Sequence, residues 1–223
     1  MGAARKDHVD QQIDAELAQA RSEVYGLLAR VFRAEPDAEL GRFLQKVETA
    51  RTLEGLGFPV SDCFPDVTEE QLLEDLAVEY ARLFVGPGPR ISLYESVNAN
   101  PGSHSEAALW SERTVKVKNF IESSGLSYAK EFAGLPDHVS VELEFMQRVA
   151  AHEAEAHLAG RDAEAQTLFH IQQAFFNEHI GDWLPTLCEK VIANAKEPFY
   201  IAMAELSKAV TEFEREILGI NPE

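Results

Sequence analysis

The chain is poor in cysteine, poor in positive charge and without a long apolar run, and each shortage removes a class of function. Its two cysteines, Cys63 and Cys188, stand far apart with no CxxC partner. Two isolated thiols of this kind suit a reducing compartment and build no disulfide framework. Lysine and arginine number 20 against 38 aspartate and glutamate, giving a formal net charge of −18. Binding a phosphate backbone needs clustered positive charge, so nucleic acid is not expected as a partner. An acidic surface instead keeps a protein soluble and favours a basic partner. No run of about 18 apolar residues occurs, so no membrane-spanning helix is expected. The start, MGAARKDHVDQQIDAELAQ, lacks the apolar centre of a secretory signal, and the expected location is the cytoplasm.

The chemistry of common enzymes is also missing. There is no GxxxxGK[ST] to cradle phosphate. Gly125-Leu126-Ser127-Tyr128-Ala129 lacks the second glycine of a nucleophile elbow. His152-Glu153-Ala154-Glu155-Ala156-His157 is one residue longer than HExxH. Five helical steps leave the two imidazoles roughly 140° apart, which separates a zinc pair and leaves exposed histidines on an acidic helix. No Glu-x-x-His occurs, which argues against a di-iron bundle. Neither metal nor cofactor is expected.

What the sequence has in abundance is helical periodicity. Ile13, Leu17, Ala20, Val24, Leu27 and Val31 recur at steps of three or four; so do Leu72, Leu76, Tyr80, Leu83 and Phe84. Ala107 to Ile121, Val139 to Ala150 and Phe199 to Ile217 continue the pattern. Each stripe predicts the core face of an amphipathic helix, and no stretch alternates as a half-buried strand does. The expected fold is all-α, a single-domain bundle of about nine to ten helices over residues 1–223, with residues 1–10 flexible. The punctuation agrees. Glu35-Pro36-Asp37 ends one helix and starts another, Thr68 precedes Gln71 as in a capping box, and Pro198 opens the last helix.

Two places break the pattern. Val85-Gly86-Pro87-Gly88-Pro89-Arg90 begins a long irregular stretch through Gly102 that also holds Ile91, Leu93, Tyr94 and Val97. Apolar side chains in a long loop fit either a binding loop or a loop pinned to the core. At Asp137-His138 a helix starts after Pro136. Asp137 is placed to cap it, and His138 lies one turn before Glu142, as a surface contact or as an anchor for a bound peptide. An acid–base pair of His138 with Glu142 or Asp137 in a small helical enzyme, or a helical adaptor for another partner, are the alternatives.

Three segments together resemble one family. They are Glu79-Tyr80-Ala81-Arg82-Leu83-Phe84-Val85-Gly86-Pro87-Gly88 followed by Leu93-Tyr94-Glu95-Ser96-Val97; Leu135-Pro136-Asp137-His138 followed by Glu142-Leu143-Glu144-Phe145-Met146; and His179-Ile180-Gly181-Asp182-Trp183-Leu184-Pro185. In order and spacing the chain resembles the TorD/DmsD family of cytoplasmic chaperones, related to the NarJ group, over about residues 15 to 218. The resemblance implies an all-helical, non-enzymatic protein, monomer or dimer. Its partner would be the catalytic subunit of a molybdopterin enzyme of the dimethyl-sulfoxide-reductase type. It would bind that enzyme's basic, often twin-arginine N-terminal leader, aid cofactor insertion and delay export. The leader-binding residues it implies are Tyr80, Leu83, Phe84, Gly86, Pro87, Tyr94, Glu95, Ser96, Asp137, His138 and Glu142. Arg90-Ile91-Ser92 departs from the family pattern, which often has proline and a further aromatic there. A leader of basic and apolar halves complements an acidic protein with an apolar groove, at around micromolar affinity once ordering of the leader is counted.

Overall fold

A computed structural model describes residues 2–44, 68–87, 90–99, 111–125 and 134–220. Cys63, Gly88, Pro89, the stretch from Asn100 to Gly102 and the Ala107–Trp110 part of one stripe lie outside them. The chain winds through α1 (Gly2–Arg33), α2 (Ala38–Leu44), α3 (Glu69–Tyr80), a π-helical turn (Ala81–Val85) and the short α4 (Glu95–Asn98). It continues through α5 (Glu112–Ser123), α6 (Val139–Leu158), α7 (Asp162–Phe175), a second π turn (Phe176–Ile180), α8 (Gly181–Asn194) and α9 (Pro198–Ile217). The fold is all-α as expected, and the described residues form no sheet. Counted with each π turn joined to its neighbouring helices, the described residues hold eight helical segments, close to the nine to ten expected. Helix α1 also runs back to Gly2, over the segment expected to be flexible.

Local chemistry sets the helix starts. Asp37 Oδ1 accepts the Leu40 backbone N–H at 2.8 Å, and Thr68 Oγ1 accepts that of Gln71 at 3.2 Å. Each satisfies one of the amide groups that a helix start leaves without a partner. Pro198 sits in the first turn of α9, where no N–H is needed.

Helix α1 packs along α6, α6 against α7, and α8 against α9. The α1–α6 approach is close at Gly26, where a Cβ would lie 2.5 Å from Gln147 Nε2. The core has two aromatic centres. Phe84 stands edge-on to Tyr80, Tyr200 and Phe32, with ring centres 5.0, 6.1 and 6.3 Å away. Phe175 meets Phe145 at 4.4 Å and Phe120 at 5.2 Å. At the other end a buried ion cluster joins α1 to the last helix. Arg21 pairs with Glu214 at 2.7 Å and Glu153 at 3.1 Å and donates to Gln172 at 2.8 Å.

The continuous rod from α7 through α8 contains a proline, Pro185. Proline has no N–H, so the carbonyl one turn earlier, on Gly181, loses its helical donor. The guanidinium of Arg215 in α9 donates to that carbonyl, so the rod keeps its polar groups satisfied across the proline. Gly181 itself is obligatory, since a Cβ there would stand 2.8 Å from the Phe176 ring and 2.9 Å from the Phe176 carbonyl oxygen.

Candidate functional site

The π turn after α3 begins the site. Its wide loop closes with Gly86 N–H donating to the Ala81 carbonyl at 2.6 Å, and the Leu83 carbonyl accepts from Ile91 N–H at 2.8 Å. Ile91 thus lies beside Leu83, and Leu93 and Tyr94 lie against the start of α6. There Val139 N–H donates to the Leu93 carbonyl at 2.8 Å, and Glu95 N–H donates to the Asp137 carbonyl at 2.9 Å. Tyr94 and His138 form an isolated antiparallel bridge, with their rings edge-on at 5.1 Å.

Side chains lock this junction from below. Asp137 is fully buried, and its Oδ2 accepts the Ser96 backbone N–H at 3.1 Å, while Oδ1 has no hydrogen-bond partner. Glu95 receives Arg113 Nη1 of α5 on one oxygen at 2.7 Å and faces His179 Nδ1 across 3.1 Å with the other. Glu142 Oε2 accepts the indole N–H of Trp183 at 3.0 Å, and its Oε1 meets no N–H or hydroxyl donor. Asn98 donates to the Ser92 and Tyr94 carbonyls at 2.7 and 2.9 Å and accepts from Lys190 of α8 at 2.8 Å. The three segments that carry the family resemblance thus converge on one buried polar network.

Burial decides the protonation of this network. Complete burial raises the Glu142 carboxyl far above the usual carboxylate range, and the nearby Glu95 and Asp137 charges add to the rise against the opposing Trp183 hydrogen bond. The direction of this shift favours the protonated carboxyl over the carboxylate at Glu142. Burial, helped by the charge of Arg33, lowers the His138 imidazole to about 4, so it is neutral at ordinary pH. Burial and then Asp137 raise the Tyr94 phenol.

Several expectations change in consequence. His138, and not Asp137, caps α6: His138 Nδ1 receives the Ser140 backbone N–H at 3.2 Å. Asp137 is turned back to hold Ser96, and its carboxylate is not at the surface. Glu142 is no surface partner of His138; it faces Trp183 and Glu95 inside the protein. Of the eleven residues expected to bind a leader, Tyr80, Leu83, Phe84, Glu95, Ser96, Asp137, His138 and Glu142 are buried. Gly86 and Tyr94 are half-exposed, and Pro87 is exposed. His152 is exposed as expected, whereas His157 is half-buried 3.8 Å from Glu153. Arg113 belongs to the network without any mark in the sequence, and His179 and Trp183, quoted only within the third resembling segment and not as site residues, stand four residues apart on one helical face. No group of three or more metal-ligating side chains occurs among the described residues.

The network acts as a clamp: most of its polar groups face one another, and it anchors Leu93, Tyr94 and α4 against the start of α6.

Comparison with known proteins finds the chain similar to several maturation chaperones. The family model for the nitrate reductase delta subunit matches residues 30–189. The chain is 26% identical over 218 residues to the chaperone protein TorD of Shewanella sp. (strain MR-4), covering 92% of this chain and 97% of that one. It is 27% identical to the perchlorate reductase assembly chaperone protein of Dechloromonas aromatica (strain RCB), covering 93% of each. It is 28% identical to the chlorate reductase assembly chaperone protein of Ideonella dechloratans, over 74% of this chain and 85% of the other. The crystal structure of a protein described as a redox enzyme maturation protein from Archaeoglobus fulgidus superposes with a TM-score of 0.51. It does so at 21% identity, over 87% of this chain and 93% of that chain, and shares the fold.

Proposed function

The chain belongs to the nitrate reductase delta subunit family, as a TorD-like maturation chaperone and not a catalyst, and from that membership we propose that it assembles the catalytic subunit of a molybdopterin reductase. It binds the client's basic N-terminal leader and unfolded apoprotein in the cytoplasm, keeps them until the cofactor is loaded, and so delays export. The observation that carries this reading is the clamp. Three segments distant in sequence are drawn together to fix one short exposed edge, with Gly86, Pro87 and Tyr94 on it and Val85 59% exposed beside them. Apolar and aromatic groups held rigidly at a surface bind a flexible peptide at low entropic cost.

The buried members of the set position this edge and do not touch the leader. Recognition of the leader's arginines falls to the acidic surface of a chain with net charge −18. Such attraction between exposed charges is screened by salt. No helix among the described residues is long and apolar enough to cross a membrane. The test is calorimetry of the purified protein with leader peptides of molybdoenzymes from the same genome, at low and high salt. Saturable binding that weakens with salt supports the proposal, and no binding to any leader refutes it.

A further inference from the structure

On the far side of Glu95 from the exposed edge lies a cavity of about 360 Å3 lined by Ser111, Glu112, Arg113, Lys116, Glu178 and His179. We propose that this cavity binds the phosphate group of a small soluble phosphate monoester, held between the start of α5, Arg113, Lys116 and the His179 ring. The inference is independent of the leader reading.

The start of α5 is uncapped. Ser111 occupies the cap position but makes no side-chain cap bond, and its hydroxyl is buried without a hydrogen-bond partner. The first amide N–H groups of this 12-residue helix thus take no hydrogen bond from the Ser111 side chain, at the positive end of the helix dipole.

The second observation is independent of the helix. His179 is 4% exposed, and its Nε2 has no hydrogen-bond partner while Nδ1 faces Glu95. A buried polar atom without a partner carries a desolvation cost unless something meets it. A phosphate monoester can do so in either tautomeric case, donating its P–OH to a bare nitrogen or accepting from an N–H with P–O⁻. Arg113 gives one N–H to Glu95 and has further N–H groups for an oxyanion. Lys116 bridges Glu112 at 2.9 Å, both side chains well exposed. Such a pair is weak and releases the ammonium easily. The carboxylates of Glu112 and Glu178 then stand as acceptors for hydroxyl or amino groups on the rest of the ligand. Their charge, on a protein already at −18, repels simple anions, so a positive result reports the built site and not a diffuse field.

The experiment titrates the full chain with inorganic phosphate and with glycerol 2-phosphate, followed by phosphorus NMR line width and by the nitrogen shift of His179 Nε2. Sodium chloride at matched ionic strength is the control. The test variant is the double substitution Ser111→Ala with Lys116→Ala, which leaves the Arg113–Glu95–His179 contacts in place. Saturable binding that moves the His179 signal, weakened at least about tenfold in the double variant, is the expected result; tenfold corresponds to about 1.4 kcal/mol. Absence of saturation with both ligands, equal binding by the double variant, or the same response to chloride overturns the site. A phosphoserine peptide that binds more tightly than glycerol 2-phosphate overturns its assignment to a small molecule.

Discussion

Replacing Glu142 by glutamine copies the protonated form that burial favours. The amide oxygen can accept the Trp183 N–H in place of Oε2, and the amide NH2 takes the place of the carboxyl oxygen that meets no donor. The variant therefore keeps the contacts and removes the titration. In the wild type the folded pKa of Glu142 lies well above its unfolded value. Below the ordinary carboxyl pKa, both folded and unfolded chains carry the proton and the group has no pH effect. Above it, the unfolded chain releases the proton and the folded chain keeps it, so stability falls as pH rises, until the folded pKa is reached. The slope is about 1.4 kcal/mol per pH unit inside that window. Glu142→Gln has no such slope. The gap between variant and wild type should open by that amount per unit, or roughly 3 to 6 °C in Tm for a chain of this size. Thermal unfolding followed by circular dichroism from pH 4 to 8 reads it directly. Glu144, on the same helix, serves as the contrast. Burial pulls its carboxyl upward, but Arg33 and Arg148 hold it below the usual range, so its stabilisation is present at neutral pH and lost as pH falls. Glu144→Gln should flatten the acid side of the curve instead. A pH-independent gap for Glu142→Gln, or a variant less stable at every pH, would refute the raised pKa of Glu142.

Three further outcomes follow from the same contacts. Tyr94→Ala should weaken leader binding about tenfold in calorimetry with a small loss of Tm, because its half-exposed ring gives up contact area and leaves no closed cavity. His138→Ala removes the cap on the Ser140 N–H and should cost about 1 kcal/mol in denaturant unfolding, where a surface residue would cost almost nothing. Arg21→Met strands Glu153 and Glu214 as buried carboxylates and should cost about 3 to 5 kcal/mol, with much of the loss recovered when Glu214→Leu is added.

The helices were legible because each stripe and each cap is a local signal: Thr68 with Gln71, Asp37 after Pro36, Pro198 at a first turn. The π turns were not, since one extra residue shifts the phase by about 100° and no single residue type marks it. Hence Leu83 and Phe84 read as a plain continuation of α3. At the site, the cap fell one residue away from its expected place, because Asp137 answers to Ser96, 41 positions earlier in the chain, a demand that no local pattern encodes. Glu95, Arg113 and His179 meet across separations of 18 and 84 residues, beyond the reach of any periodicity. One clue was present. Glu142 sits between Val141 and Leu143 at the head of an apolar helix, and a carboxyl in such a setting has to find an interior partner.

The Arg21 cluster also bears on when the protein becomes complete. Glu214 lies 193 residues after Arg21, and Glu153 lies 132 after it. During synthesis α1 leaves the ribosome first, and its guanidinium has only water as a partner until α6 emerges. Bidentate closure waits for Glu214 of α9. A chain halted short of Glu214 holds a buried charge cluster with a member missing, and its first helix has cause to stay loose. Closure of the cluster thus ties the locking of α1 to the arrival of a residue 193 positions later in the chain.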